Sequence, residues 1–294
     1  MQQKNDIALL KLQNQTSNTP RLIVADFDGT LFTPNIKIIA EVLHHNKQLK
    51  KLLLRQHIPL IINTAKRDWL KKEKNDARIL GISPDVIIVG AGTKIYHKTI
   101  DNKLVLDTEW QTKIRGTQLW NSKSIEDRVN EWREKHKITM RKIKDSDFQV
   151  RYRVRHVATR QLPVLAASLQ KQFDSGIQVV YTESVYSNKF GFQTGDILII
   201  PAIAGKDNAL QYLLEKYSEI VQKQIDAYCF GDGSIDLLSF LTMPLTANYV
   251  LKQFLIHPTA LAKYLFENES SSHKPTLLKK SGAVAMMDVL STVI

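Results

Sequence analysis

Asp26 and Asp28 stand two residues apart at the end of the apolar run Leu22-Ile23-Val24-Ala25, and Gly29-Thr30 follows at once. Side chains two apart on an extended chain point the same way, so both carboxylates project together from the C-terminal end of a strand. In open α/β sheets that end of a strand is where ligands bind, so a reaction is expected there. Two other readings compete. Asp and Gly favour turns for conformational reasons alone, which would make the stretch an ordinary strand-to-turn junction. A calcium loop needs a third oxygen ligand at its fifth position and Gly at its sixth, where this chain has Thr30 and Leu31, so that reading fails.

Further polar residues fall at the ends of apolar runs or at helix starts: Thr64 after Ile58–Ile62, Lys206 after Gly205, and Gly231-Asp232 with Asp236 after Ala227–Phe230. Each has a bland reading alone, as a strand-end Thr, a solvated Lys and a helix-capping Asp. Gly90-Ala91-Gly92-Thr93-Lys94 lacks the first Gly of a phosphate-binding loop at the required spacing and reads as a hairpin turn. The histidines show neither H-E-x-x-H nor a Cys/His zinc pattern.

The elements that must position these residues alternate. Leu22–Ala25, Ile58–Ile62 and Val86–Val89 read as buried strands, with helices expected over Ile38–Gln56 and Asp68–Leu80. Strand, helix, strand, helix, strand is the signature of a parallel sheet with helices on its faces. After Tyr96 short strands are expected at 104–106, 138–143, 148–154 and 177–182, mixed with helices at 124–136 and 161–173, so this stretch reads as a separate α+β module. The first pattern resumes near Asp196 with a strand over Ile197–Ile200, a helix over Lys206–Gln222 and a strand over Ala227–Phe230. In open sheets of this kind ligands bind at the carboxyl ends of the strands.

Composition is that of an ordinary globular chain: 294 residues, 43% hydrophobic and 24% charged. No apolar stretch reaches the roughly 18 residues of a membrane span, and the Gln- and Asn-rich opening lacks a signal peptide's apolar core, so a soluble, cytoplasmic protein without a membrane partner is expected. The lone Cys229 has no partner for an internal disulfide. A net charge of +12 asks for an anionic partner or substrate. On the strand over 148–154, Val150, Tyr152 and Val154 face one way and Arg151, Arg153 and Arg155 the other, either into solvent or into a crevice.

The order Asp26-Phe27-Asp28-Gly29-Thr30, Thr64, Lys206, Gly231-Asp232 with Asp236 resembles the haloacid dehalogenase superfamily of phosphohydrolases. Gly92-Thr93-Lys94-Ile95-Tyr96 and Asp196-Ile197-Leu198-Ile199-Ile200-Pro201 with Gly205-Lys206 and Ala209-Leu210 resemble segments of its sucrose-phosphate phosphatase group. The resemblance implies an α/β fold with a Rossmann-like parallel-sheet core and an inserted α+β cap domain. On this reading residues 1–20 form a flexible N-terminal arm, 21–110 and 196–294 the discontinuous catalytic core, and 111–195 the cap that selects the substrate.

The resemblance further implies a Mg²⁺-dependent phosphatase acting on a phosphorylated small molecule such as sucrose 6-phosphate. Asp26 would be the nucleophile that forms an aspartyl-phosphate, and Asp28 the general acid–base. Lys206 would neutralise charge, and Thr64 would donate a hydrogen bond to a phosphoryl oxygen. Asp26, the backbone carbonyl of Asp28, Asp232 and Asp236 would hold the metal. Arg67, which follows the Thr64 motif, and, if the strand over 148–154 turns them into the crevice, Arg151, Arg153 and Arg155 are candidate substrate contacts, suited to a sugar bearing extra negative charge. Two positions depart from the family pattern: Ile235 stands where the last motif usually has Asn, and Ala65-Lys66-Arg67 stands where Gly-Arg usually follows the Thr. Two alternatives stay open: a nucleotide or nucleic-acid-end phosphate as substrate, and a binding or regulatory protein weakened in catalysis by Ile235.

Overall fold

The computed structural model of the protein describes residues 5–31, 39–66, 81–117, 120–143, 146–183, 195–271, 273–280 and 282–293. Arg67 and the helix expected over 68–80 lie outside these residues.

The chain opens with helix α1 (Ile7–Asn14) and strand β1 (Arg21–Ala25), followed by α2 (Ile39–Arg55), β2 (Leu60–Asn63), β3 (Val86–Val89), β4 (Lys94–Lys98), β5 (Leu104–Leu106) and α3 (Thr108–Arg115). Helix α4 (Ser122–Lys135), β6 (Met140–Lys142), β7 (Val150–Val154), α5 (Leu162–Gln170), β8 (Ile177–Glu183) and β9 (Gly195–Pro201) come next. Then follow α6 (Lys206–Val221), β10 (Ile225–Gly231), α7 (Ser234–Thr242), β11 (Tyr249–Ile256), α8 (Ala260–Asn268), β12 (Thr276–Leu278) and α9 (Gly282–Ser291).

The described strands form two sheets. The larger runs β12-β11-β10-β1-β2-β3-β4-β5; it is parallel from β12 to β3 and closes with antiparallel β4 and β5. The smaller, β6-β7-β9-β8, is wholly antiparallel. Strands β1, β2 and β3 are apolar without alternation because helices cover both faces, the usual state of parallel strands. One face packs on α1, α3 and α6, the other on α2 and α9. Among the described residues no helix is long and apolar enough to cross a membrane.

Two expectations are corrected here. Residues 1–20, read as a loose polar arm, contain α1, whose Ala8, Leu9 and Leu12 are buried against the large sheet. Asp6 caps this helix by accepting hydrogen bonds from the Ala8 and Leu9 amides at 2.9 and 3.3 Å. The run Ile197–Ile200, read as the core pattern resuming, is β9, a central strand of the smaller sheet. Its even residues Leu198 and Ile200 pack on the core while Ile197 and Ile199 pack beneath α4 and α5. A strand covered on both faces is continuously apolar whichever sheet it joins, so the pattern alone does not assign it.

Candidate active site

The carboxyl ends of β1, β2 and β10 lie side by side, because β1 pairs in parallel with both neighbours. This register places Asp26, Thr64 and Asp232, each the first residue after its strand, at one edge of the sheet. The Asp26 amide donates to the Phe230 carbonyl at 2.9 Å, and the Thr64 amide donates to the Ile88 carbonyl at 2.9 Å, so the backbone continues its pairing past the strand ends.

Lys206 opens α6 and is buried to 3% exposure. Its Nζ donates to Asp26 Oδ1 and to Asp236 Oδ1, both at 2.6 Å. Asp26, Asp232 and Asp236 are all buried and each offers a carboxylate oxygen within 4.8 Å of the others. Asp236 Oδ2 also accepts from the Gly233 amide at 3.1 Å, which fixes it at the N-terminus of α7. Asp232 Oδ1 accepts from Thr30 Oγ1 at 3.0 Å. Gly29, at φ +83°, makes this approach possible: a Cβ there would lie 2.5 Å from the Asp232 carboxylate carbon.

Asp28 lies beside this cluster, with its Oδ1 paired to Lys66 Nζ at 3.0 Å. Lys66 also lies over the Phe27 ring, 5.0 Å from its centroid. Thr64 Oγ1 accepts from the Lys66 amide at 3.2 Å, which leaves the hydroxyl proton available. Ile235 is buried in the core beside the cluster and supplies no polar group.

The charges are unbalanced. Burial pushes Asp26 up to about 7, against the pull of Lys206 and with a push from Asp236 and Asp28. Burial, followed by Asp26 and Asp236, lifts Asp232 well above the usual carboxylate range. Burial alone would lower Lys206, but the Asp236 and Asp26 carboxylates more than offset it and hold the ammonium above the ordinary lysine value. Three buried carboxylates around one ammonium favour taking up a further positive charge. The donor set is all oxygen, which suits a hard cation of the Mg²⁺ class.

The structure thus brings Asp26, Asp28, Thr64, Lys206, Asp232 and Asp236 to one cavity of about 180 Å³. Arg151 and Arg153 line the same cavity from β7. Arg155 does not: it follows the end of β7 and is exposed. Three contributors were given no role from the sequence. Lys66 and Asp196 carried a signal, since each lies in a segment compared with the family pattern, Ala65-Lys66-Arg67 and residues 196–201. Glu183 carried none, because its role depends on partners distant in the chain.

The family model described as sucrose-6F-phosphate phosphohydrolase matches residues 19–237. The chain is 25% identical over 226 residues to probable sucrose-phosphatase 3b of Arabidopsis thaliana, covering 76% of this chain and 49% of that protein. It is also 25% identical over 223 residues to sucrose-phosphatase 2 of Nicotiana tabacum, covering 75% and 48%. The chain therefore spans about half the length of the curated relatives it matches. Among solved structures it is similar to a haloacid dehalogenase-like hydrolase, yhjK of Bacillus subtilis, with a TM-score of 0.56 at 17% identity over 95% of each chain. At that identity the likeness is one of fold.

Proposed function

The chain belongs to the sucrose-6F-phosphate phosphohydrolase family, and from that membership we propose that it is a phosphatase that hydrolyses a sugar phosphate monoester at the Asp26 cavity. The observation that carries this reading is the Lys206 ammonium held 2.6 Å from both Asp26 and Asp236, with Asp232 in the same cluster. A carboxylate nucleophile and a phosphate dianion repel each other, so the reaction needs positive charge fixed before the ester arrives.

Asp26, Asp232 and Asp236, with the backbone carbonyl of Asp28, are the groups that would hold Mg²⁺. When bound, such an ion supplies charge neutralisation at the phosphoryl oxygens. Asp26 attacks phosphorus in line and the bond to the sugar oxygen breaks, leaving an aspartyl-phosphate. Asp28 gives its proton to the departing sugar oxygen, then takes one from the water that cleaves the acyl phosphate. Lys206 offsets the charge that develops, and the free hydroxyl proton of Thr64 is donated to a phosphoryl oxygen. The smaller sheet with α4 and α5 serves as the cap, and strand β9 belongs to it.

The test is phosphate release from a panel of sugar phosphates, sucrose 6-phosphate included, with and without Mg²⁺. Turnover that requires the ion and drops at least about 10³-fold in Asp26→Asn supports the assignment. Absence of turnover across the panel, in a protein that is folded, overturns it.

A further inference from the structure

The cavity has a floor and a roof of different character. Its floor is the carboxylate cluster; its roof is the face of the smaller sheet that carries Arg151, Arg153, Thr182 and Asp196. Arg153 on β7 and Thr182 on β8 stand opposite Asp196 on β9, with Arg151 on the adjacent diagonal. The reverse face of the sheet, with Val150, Tyr152, Val154, Ile197 and Ile199, is packed beneath helices. Only the polar face looks toward the phosphoryl-transfer residues.

Asp196 is fully buried, and both guanidinium groups turn the same edge on it. Its Oδ2 accepts from Arg151 Nε at 2.9 Å, from Arg151 Nη2 and from Arg153 Nη2 at 3.2 Å, and its Oδ1 accepts from Arg153 Nε at 2.9 Å. An ionised carboxylate has about four acceptor sites, so these bonds use its capacity. Glu183, the other acid of the roof, is likewise spent on helix N-termini. It accepts from the Ser234 amide at 3.2 Å, Ser234 Oγ at 2.6 Å, the Ala262 amide at 3.2 Å and Thr259 Oγ1.

What remains at the roof is donors. Neither Nη1 of Arg151 nor of Arg153 has a hydrogen-bond partner among the described residues, and the two side chains are 23% and 39% exposed. Asp196 and Glu183 balance the two guanidinium charges formally, but the bonds to Asp196 use only Nε and Nη2 and Glu183 bonds elsewhere, so the Nη1 groups stay unspent. The hydroxyl oxygens of a neutral polyol can accept from these N–H groups, but its own O–H donors find no open acceptor on Asp196 or Glu183, whereas an anion only accepts and does so through stronger, charge-assisted bonds. Charged forks with unspent N–H groups are matched by a carboxylate or a phosphate.

We propose that Arg151 and Arg153, held by Asp196, form a second anion-recognition element, and that the preferred ester carries a second acidic group besides the phosphoryl group that is removed. This rests on the reading of the Asp26 cavity as a phosphatase centre. The acidic group is a carboxylate or another phosphate, and the two are separated by experiment.

Steady-state kinetics of the full chain with Mg²⁺ supply the test, on four esters. Glucose 6-phosphate and sucrose 6-phosphate are the neutral arm, 6-phosphogluconate the carboxylate arm and fructose 1,6-bisphosphate the second-phosphate arm. The wild type is expected to favour at least one acid-bearing ester over both neutral ones by tenfold or more in kcat/KM, and the favoured arm names the group. In Arg151→Gln and Arg153→Gln that ratio falls by tenfold or more through KM. Because losing one arginine unbalances buried Asp196, the double variant Arg153→Gln/Asp196→Asn is measured alongside; it keeps the local charge balance and is expected to lose the same preference. Equal or better turnover of the neutral esters by the wild type overturns the inference alone. No turnover of any of the four overturns the phosphatase reading and this inference with it.

Discussion

His97 is the most exacting test of the packing around the large sheet. Its ring is buried on β4, with Nδ1 2.8 Å from Asp6 Oδ2 and Nε2 2.9 Å from Asp107 Oδ2. A carboxylate on each nitrogen is satisfied only if both nitrogens carry protons, so the ring is an imidazolium. Burial acts to lower its pKa, but the hydrogen bonds and charges of Asp107 and Asp6 more than offset this and raise it to about 9, while Asp107 is held well below the usual carboxylate range. The two shifts share one pair energy, which is counted once, on the histidine.

A folded pKa of about 9 against an ordinary 6.5 makes the contribution fully present below pH 6.5 and lost as pH rises through 9. The full contribution is about 3 kcal/mol, of which about 2–3 kcal/mol remains at pH 7 and almost none at pH 10. Chemical denaturation of wild type and His97→Gln at pH 7 and pH 10 measures it. The stability gap between the two proteins is expected to narrow by about 2–3 kcal/mol over that range, the subtraction removing groups that titrate in both. A gap that stays constant from pH 7 to pH 10 would refute the doubly protonated ring between Asp6 and Asp107.

Gly29→Ala must move the Asp232 carboxylate carbon from 2.5 Å to an ordinary contact of at least 3.4 Å, at a position with φ +83°. A displacement of about 1 Å in a catalytic group costs on the order of 10²-fold in rate, and the left-handed backbone costs about 1–2 kcal/mol, so phosphate release and melting temperature should both fall. Asp232→Asn relieves repulsion among the buried carboxylates: the metal-free melting temperature should rise while Mg²⁺-dependent turnover is lost, and an unchanged or lower melting temperature counts against the charge imbalance. Glu183→Ala removes the acceptor for the α7 and α8 N-termini and should cost about 1.5–3 kcal/mol in denaturant titrations; a loss under about 0.5 kcal/mol would show that those bonds do not join the two sheets.

Much of the fold was legible because its signals are local. Strands β1 and β3 are uninterrupted apolar runs closed by turn residues, and Asp26 and Asp28 share a direction because they are two apart on extended chain. Helix α1 was legible in principle, through Asp6 as cap and Leu9 and Leu12 as its buried face, but the surrounding Gln and Asn masked it. The set Asp26, Thr64, Lys206 and Asp232 was recognisable by order, since each residue follows a strand or opens a helix of one sheet.

The rest depends on partners that only folding brings together. Strand β9 joined the smaller sheet because β7 and β8 offered it edges, a fact absent from its own apolar run. The direction of Arg151 and Arg153 was set by buried Asp196, more than forty residues away, and Lys66 reached Asp28 across the loops that end two strands. Residue types and their spacing along single elements thus determined which chemistry the chain can carry. The tertiary structure decided which charges meet: a buried charge takes its partner from whatever element packs against it, and that distance is not written in sequence separation.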